Sequence, residues 1–191
     1  MIFEPLELPD VWLLKPRSIE DERGIFREMF RHSQFEKEIG PIAFVQENQS
    51  VSNRRGTVRG LHFQTAPMSQ GKLVQCLVGA IFDVALDIRP SSPSFGHYLS
   101  RTLLAEDGLQ LWIPAGFAHG FCTLVERTVV SYKVSNYYSP AHDRGVAWND
   151  PALKISWPVS ETEAIVSPKD QIQPRLADLA EILAEQPDVS S

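Results

Sequence analysis

Arg59, Gly60, Leu61 and His62 run consecutively, and Lys72 follows the histidine by ten positions. A neutral imidazole titrates near pH ~6.5, so His62 can accept a proton at working pH without strong perturbation. Removing a proton from a carbon beside a ketone pushes negative charge onto the ketone oxygen. A positioned cation such as Lys72 stabilises that enolate far more than the ground state. Arg59 suits a different task, because its planar guanidinium is permanently charged and meets phosphate oxygens two at a time, which fits it to anchor a diphosphate. A single histidine among strands is more often a hydrogen-bonded structural residue, so the assignment depends on which other side chains accompany it.

The elements that must hold these groups are strands. Apolar and alternating runs at 56–63, 72–78, 80–88, 109–114 and 128–134 are separated by turn residues at Gly79, 89–94 and 106–108. Consecutive strands are therefore expected to be antiparallel neighbours, and many short strands with this punctuation predict a sandwich or barrel. Helices are few. Ser33 and Glu36 have capping-box spacing with Gly40 as a stop, and Leu176, Leu179, Ala180 and Leu183 share a helical face that Asp178, Glu181 and Glu185 avoid. The chain reads as a single all-β domain over 1–175 with a few short peripheral helices, followed over 176–191 by a C-terminal helix and a tail that frays from residue 186.

With 191 residues, one domain can bury a real core. Its 18 basic and 24 acidic side chains leave a net charge of -6, which argues against a general nucleic-acid or anionic-membrane binder, so any anion must be met locally. Cys76 and Cys122 are the only cysteines and each lies in an apolar run, as expected of buried reduced thiols in a cytoplasmic protein. The first residues lack the basic and apolar regions of an export signal, and no stretch approaches the ~18 apolar residues of a membrane span, so a soluble, unexported chain is expected.

A second motif follows the 109–114 strand. In Trp112-Ile113-Pro114-Ala115-Gly116-Phe117-Ala118-His119-Gly120, the pattern Pro-x-Gly-x-x-His resembles the second motif of the cupins. Metal-binding cupins pair it with an upstream His-x-His and a Glu, because a divalent ion needs three or four convergent ligands. Here the upstream strand offers only Leu61-His62-Phe63-Gln64, two imidazoles in all and no evident carboxylate, so no metal is expected. Together with Asp21-Glu22-Arg23-Gly24-Ile25-Phe26-Arg27-Glu28, Phe44-Val45-Gln46-Glu47-Asn48, Gln70-Gly71-Lys72-Leu73-Val74, Tyr132-Lys133 and Trp148-Asn149-Asp150-Pro151, these motifs resemble the dTDP-4-dehydrorhamnose 3,5-epimerase family. The resemblance runs from about residue 4 to about residue 175.

That resemblance implies a cupin jelly roll that works without cofactor or metal and inverts C3 and C5 of dTDP-4-keto-6-deoxy-D-glucose. It assigns His62 as the base, with Asp170 of Ser167-Pro168-Lys169-Asp170 as its carboxylate partner, and Tyr132 as the acid on the opposite face of the sugar. Lys72 maps onto the residue facing the C4 oxygen, and His119 and Arg59 onto groups around the enolate and the diphosphate. Gln46, Asn48, Arg23, Phe26 and Glu28 match positions around the nucleotide, the last three reaching a neighbouring subunit's site in a homodimer. Asp143 and Lys169 complete the implied binding set; Asp143 stands where family members usually carry a glutamate, one methylene longer. His97 and His142, at turn-like positions, read as surface residues. Three alternatives stay open from sequence: a relative that epimerises one carbon only, a non-catalytic sugar-nucleotide-binding cupin, and a metal cupin.

Overall fold

The structure, a computed structural model, describes residues 1–184. The expected fraying of the tail lies outside the described residues, as does Glu185. Four short strands open the chain: β1 (Ile2–Pro5), β2 (Trp12–Lys15), β3 (Ser18–Asp21) and β4 (Gly24–Arg27). Helix α1 (His32–Glu38) leads into β5 (Gln46–Ser52), β6 (Thr57–Gln64), β7 (Lys72–Val78) and β8 (Ala80–Asp87). Then come β9 (Tyr98–Leu104), β10 (Gln110–Ile113), β11 (Phe117–Thr123) and β12 (Thr128–Val134), followed by the short β13 (Asp143–Gly145) and β14 (Ile165–Val166). Helix α2 (Pro168–Gln171) precedes a 3-10 turn over Leu176–Leu179 that runs into α3 (Ala180–Ala184).

One six-stranded sheet has the order β1-β2-β10-β7-β12-β5; a second has β13-β6-β11-β8-β9, with β14 parallel to β6, and β3 and β4 form a separate ribbon. The two large sheets make the jelly-roll sandwich implied by the resemblance. Pairing differs from the expectation for consecutive strands. From β5 to β13 the chain changes sheets at every connection except β8 to β9, so β7 and β8 do not pair although only Gly79, at φ +83°, separates them. A tight turn reverses the chain equally well within a sheet or across to the other. Burial decides, since the apolar faces of β7 and β8 are covered best when the strands face each other. Val74, Cys76, Ile81, Ala85, Leu103, Leu111, Phe117, Phe121 and Val130 fill the space between the sheets.

The outer faces are covered too. Phe35 of α1 is fully buried, with ring centroids 5.2 Å from both Phe44 and Trp112, and this aromatic cluster fixes the helix. The capping box expected at Ser33 is not used: Arg31 is the N-cap, no side chain caps the helix, and packing of Phe35 outweighs the local preference. Gly40, at φ +129°, stands just beyond the end as expected. Over the second sheet, Leu176, Leu179 and Leu183 are buried with Leu61, Phe63, Val84, Leu86 and Ala118. Ala180 is exposed, because the first turn of that segment tightens to 3-10 geometry and rotates it off the apolar face. Both cysteines are buried and unpaired, and burial pushes each thiol up to about 11, so they are inert. Among the described residues no helix is long and apolar enough to cross a membrane.

Candidate active site

In a regular strand, Arg59 and His62 would point to opposite faces, because their separation is odd. They do not, because β6 bulges. His62 pairs with His119 of β11 and Arg59 with Phe121, so β6 fits one residue more than β11 between the two pairs. Both side chains turn into the cleft between the sheets, while Leu61 and Phe63 go to the outer core. The bulge requires close backbone contact. Gly60 has φ +119°, and a Cβ there would stand 2.6 Å from the Gly120 Cα and 2.7 Å from the His119 carbonyl oxygen, which only glycine avoids.

His62 Nε2 lies 2.5 Å from Asp170 Oδ1. The Asp170 side chain is 4% exposed while that of His62 is 32% exposed, so the pair has a sealed carboxylate and an accessible ring. Ser167 caps α2 by accepting the Asp170 N–H at 3.1 Å, and the Gly60 N–H approaches Asp170 Oδ2 at 3.4 Å. Burial raises the Asp170 carboxyl, but hydrogen bonding and charge from His62, with help from Gly60 and Ser167, hold it below its ordinary value. It is an ionised partner suited to orient the imidazole and to stabilise it once protonated.

Lys72, nearly buried, donates from Nζ to the His62 carbonyl at 3.0 Å. Burial lowers it to about 8 against the pull of Asp143 and Asp83, so it remains largely charged at neutral pH yet is easily neutralised. His119 is buried beside it and its Nε2 lies 2.7 Å from Asp83 Oδ1; burial lowers the imidazole more than Asp83 raises it. Asp83 is fully buried and its Oδ2 has no hydrogen-bond partner. Sequence reasoning missed this residue. A carboxylate inside the apolar 80–88 run, on the same strand face as the core positions Ile81 and Ala85, was the available sign.

The cleft has two lobes of about 410 and 440 Å³, and His62, Lys72, Tyr132 and Lys169 line both. Arg59, His119, Asp170 and Ser50 line the first; Gln46, Asn48, Asp143 and Tyr138 line the second. Arg59 is aimed by its Nε donating to Ser52 Oγ at 3.1 Å, and Gln46 Nε2 donates to Asn48 Oδ1 at 2.8 Å. Tyr132 sits on β12 of the first sheet, across from His62 on the second, and burial raises its phenol further above its ordinary value. It remains a proton donor throughout the neutral range. Asp143 takes the Lys169 ammonium and the Tyr138 hydroxyl, and Tyr138 is a second lining residue that sequence reasoning passed over.

Three expected binding residues are not at this cleft. Arg23 and Phe26 lie on the β3–β4 ribbon, where Arg23 pairs with Asp21 at 2.5 Å and Phe26 is 68% exposed; Glu28, just beyond it, pairs with Arg31 at 2.6 Å. His97 is exposed as expected, whereas His142 is half buried with Nδ1 2.8 Å from Ser139 Oγ. Among the described residues, no three His, Cys, Asp or Glu side chains are grouped as a metal ion would need.

The family model for dTDP-4-dehydrorhamnose 3,5-epimerase matches residues 5–178. The chain belongs to the dTDP-4-dehydrorhamnose 3,5-epimerase family. The dTDP-4-dehydrorhamnose 3,5-epimerase of Sinorhizobium fredii is 51% identical over 179 residues, which cover 94% of this chain and 91% of that protein. A dTDP-6-deoxy-D-glucose-3,5-epimerase from Legionella pneumophila, crystallised in complex with dTDP-4-keto-L-rhamnose, matches with a TM-score of 0.91 at 38% identity, covering 100% of this chain and 99% of that one. The family member from Bacillus anthracis, with TDP and PPi bound, matches at 0.86 and 46% identity, covering 91% of this chain and 99% of its own.

Proposed function

We propose that this protein inverts C3 and C5 of dTDP-4-keto-6-deoxy-D-glucose, giving dTDP-4-keto-L-rhamnose without a cofactor. One observation carries the mechanism: a carboxylate-held imidazole on one sheet and a phenol on the other line the same cleft. His62 takes the proton from a carbon beside the C4 ketone, and Asp170 stabilises the imidazolium. The electron pair of the C–H bond moves to the C4 oxygen, where the charge of Lys72 stabilises the enolate, with His119 beside it. An enolate is planar, so inversion needs a proton delivered to the face opposite the base. Tyr132 supplies it, and exchange with solvent returns both groups to their starting protonation states.

Arg59 anchors the diphosphate, while Gln46 and Asn48 contact the nucleotide. Arg23, Phe26 and Glu28 act from a second copy of the chain in a homodimer, which agrees with their distance from the protomer's own cleft. The buried, unpaired thiols support a reducing, cytoplasmic location. The test is incubation with dTDP-4-keto-6-deoxyglucose in deuterated buffer, following deuterium at C3 and C5 by proton NMR beside a His62→Ala control. Exchange at both carbons, lost in the variant, is expected. Exchange at one carbon means a single-site epimerase, and exchange at neither refutes the activity.

A further inference from the structure

Tyr138 lines the second lobe of the cleft, yet packing does little to place it, since 54% of it is exposed. Its hydroxyl donates to Asp143, and the rest of its placement falls to the backbone on either side. The connection from β12 to β13 is fastened at both ends: Ser135 exchanges two bonds with Gly71, Asn136 bonds to Pro67 and Gln70, and the Thr65 N–H reaches the His142 carbonyl. Its middle is tied to the two sheets by two glutamine side chains. From the first sheet, Gln46 Oε1 accepts the Tyr138 N–H at 3.0 Å. From the second, Gln64 Nε2 donates to the Tyr137 carbonyl at 3.0 Å and Gln64 Oε1 accepts the Ser139 N–H at 2.7 Å. The bonds from Tyr137 to Asn136 and from Ser139 to His142 stay within the segment.

Gln64 ends β6, two residues past His62, and is 7% exposed. Its second amide hydrogen goes to the Met68 carbonyl at 2.6 Å. Turned over, the amide would set its oxygen against two carbonyls, so its orientation is fixed. Gln64 stands at the wall of the second lobe, but both of its hydrogens are used by the protein and it has no donor left for a ligand. Truncating it would strand the Tyr137 and Met68 carbonyls and the Ser139 N–H together, and a polar group left without its partner is the costly case.

We propose that Gln64 is a positioning residue that holds Tyr138 in place over the second lobe before the nucleotide arrives, so that binding need not order the loop. The choice of dTDP as ligand rests on the epimerase reading, whereas the order of the loop does not. The structural readout is hydrogen exchange of the Ser139 amide in ¹⁵N-labelled protein, compared among wild type, Gln64→Leu and Gln64→Glu. Leucine keeps the bulk but accepts no bond, so Ser139 should lose protection. Glutamate keeps an acceptor and should leave Ser139 protected while it releases the Tyr137 carbonyl.

The functional readout is calorimetry with dTDP in a double-mutant cycle with Tyr138→Ala. Gln64→Leu and Gln64→Glu should each weaken dTDP about tenfold, the scale of ordering one or two side chains on binding, and should raise KM more than they lower kcat. With Tyr138→Ala in place, the same changes should cost less than about twofold, because no ring remains to be positioned. Should Gln64→Leu fail to fold, Gln64→Glu carries the same cycle, since it severs the Tyr137 tie. Unchanged Ser139 protection in Gln64→Leu overturns the proposal, as does unchanged dTDP affinity or a full tenfold loss that persists beside Tyr138→Ala. Wild type that binds no dTDP sinks the epimerase reading and the nucleotide role together, while Ser139 exchange still decides whether Gln64 holds the loop.

Discussion

Replacing Tyr132 with Phe separates the two halves of the proposed reaction. The ring stays, and with it the packing of Tyr132 against the inner core, so the fold should persist. What disappears is the only acid assigned to the face opposite His62. Because burial holds the phenol above its ordinary value of about 10, it is fully protonated in any neutral assay, and the wild-type rate already contains its whole contribution. A positioned general acid is worth about 10²- to 10⁴-fold, which at roughly 1.4 kcal/mol per decade is about 3–5 kcal/mol of barrier. Proton removal should suffer much less, since His62, Asp170 and Lys72 are untouched. The variant should therefore wash deuterium into the substrate with retention of configuration while inversion slows by those two to four decades. The assay is proton NMR in deuterated buffer, reading exchange from loss of the ring-proton signal and inversion from the couplings of the product. Inversion at the wild-type rate would refute the opposed-face geometry, and equal loss of exchange and inversion would mean that Tyr132 also serves proton removal.

Arg59→Ala should weaken dTDP binding roughly 10- to 150-fold, the equivalent of about 1.5–3 kcal/mol for a charge-assisted bond, while exchange at saturating substrate persists; calorimetry beside the exchange assay checks both. Lys72 titrates at about 8, and its ammonium is the form that stabilises the enolate, so kcat should fall as pH rises through that value. Lys72→Arg, whose charge survives to much higher pH, should remove that fall from the pH profile even if its absolute rate is lower. Gly120→Ala would set a Cβ 2.8 Å from the Arg59 carbonyl oxygen and 2.9 Å from Leu61 Cδ2. Overpacking of this kind costs about 1–3 kcal/mol, and a thermal melt several degrees lower, with slower exchange from a displaced His62, is the expected result.

Much of the site was legible as chemistry before it was legible as geometry. His62, Lys72 and Arg59 announce a base, a cation for an enolate and an anion anchor by side-chain type alone, and β6, β7, β8, β10 and β12 follow from apolar runs and turn residues within a residue or two, whereas sequence reasoning missed β9 and β11 as strands, the latter carrying His119. Those properties are local, set by a side chain's own acidity, shape and backbone preference, so sequence suffices for them. Contacts between distant segments are another matter. Asp170 reaches His62 across 108 positions and Asp83 reaches His119 across 36, and no local rule links either pair. The bulge that turns Arg59 and His62 to one side exists only because β6 and β11 pair out of step around Gly60 and Gly120. The placement of β7 and β8 in opposite sheets, and the choice of Arg31 over Ser33 to begin α1, were likewise settled by what must be buried. Side-chain chemistry is a property of the residue, whereas register, burial and the meeting of acid, base and cation are properties of the packed whole, where thousands of weak contacts decide together.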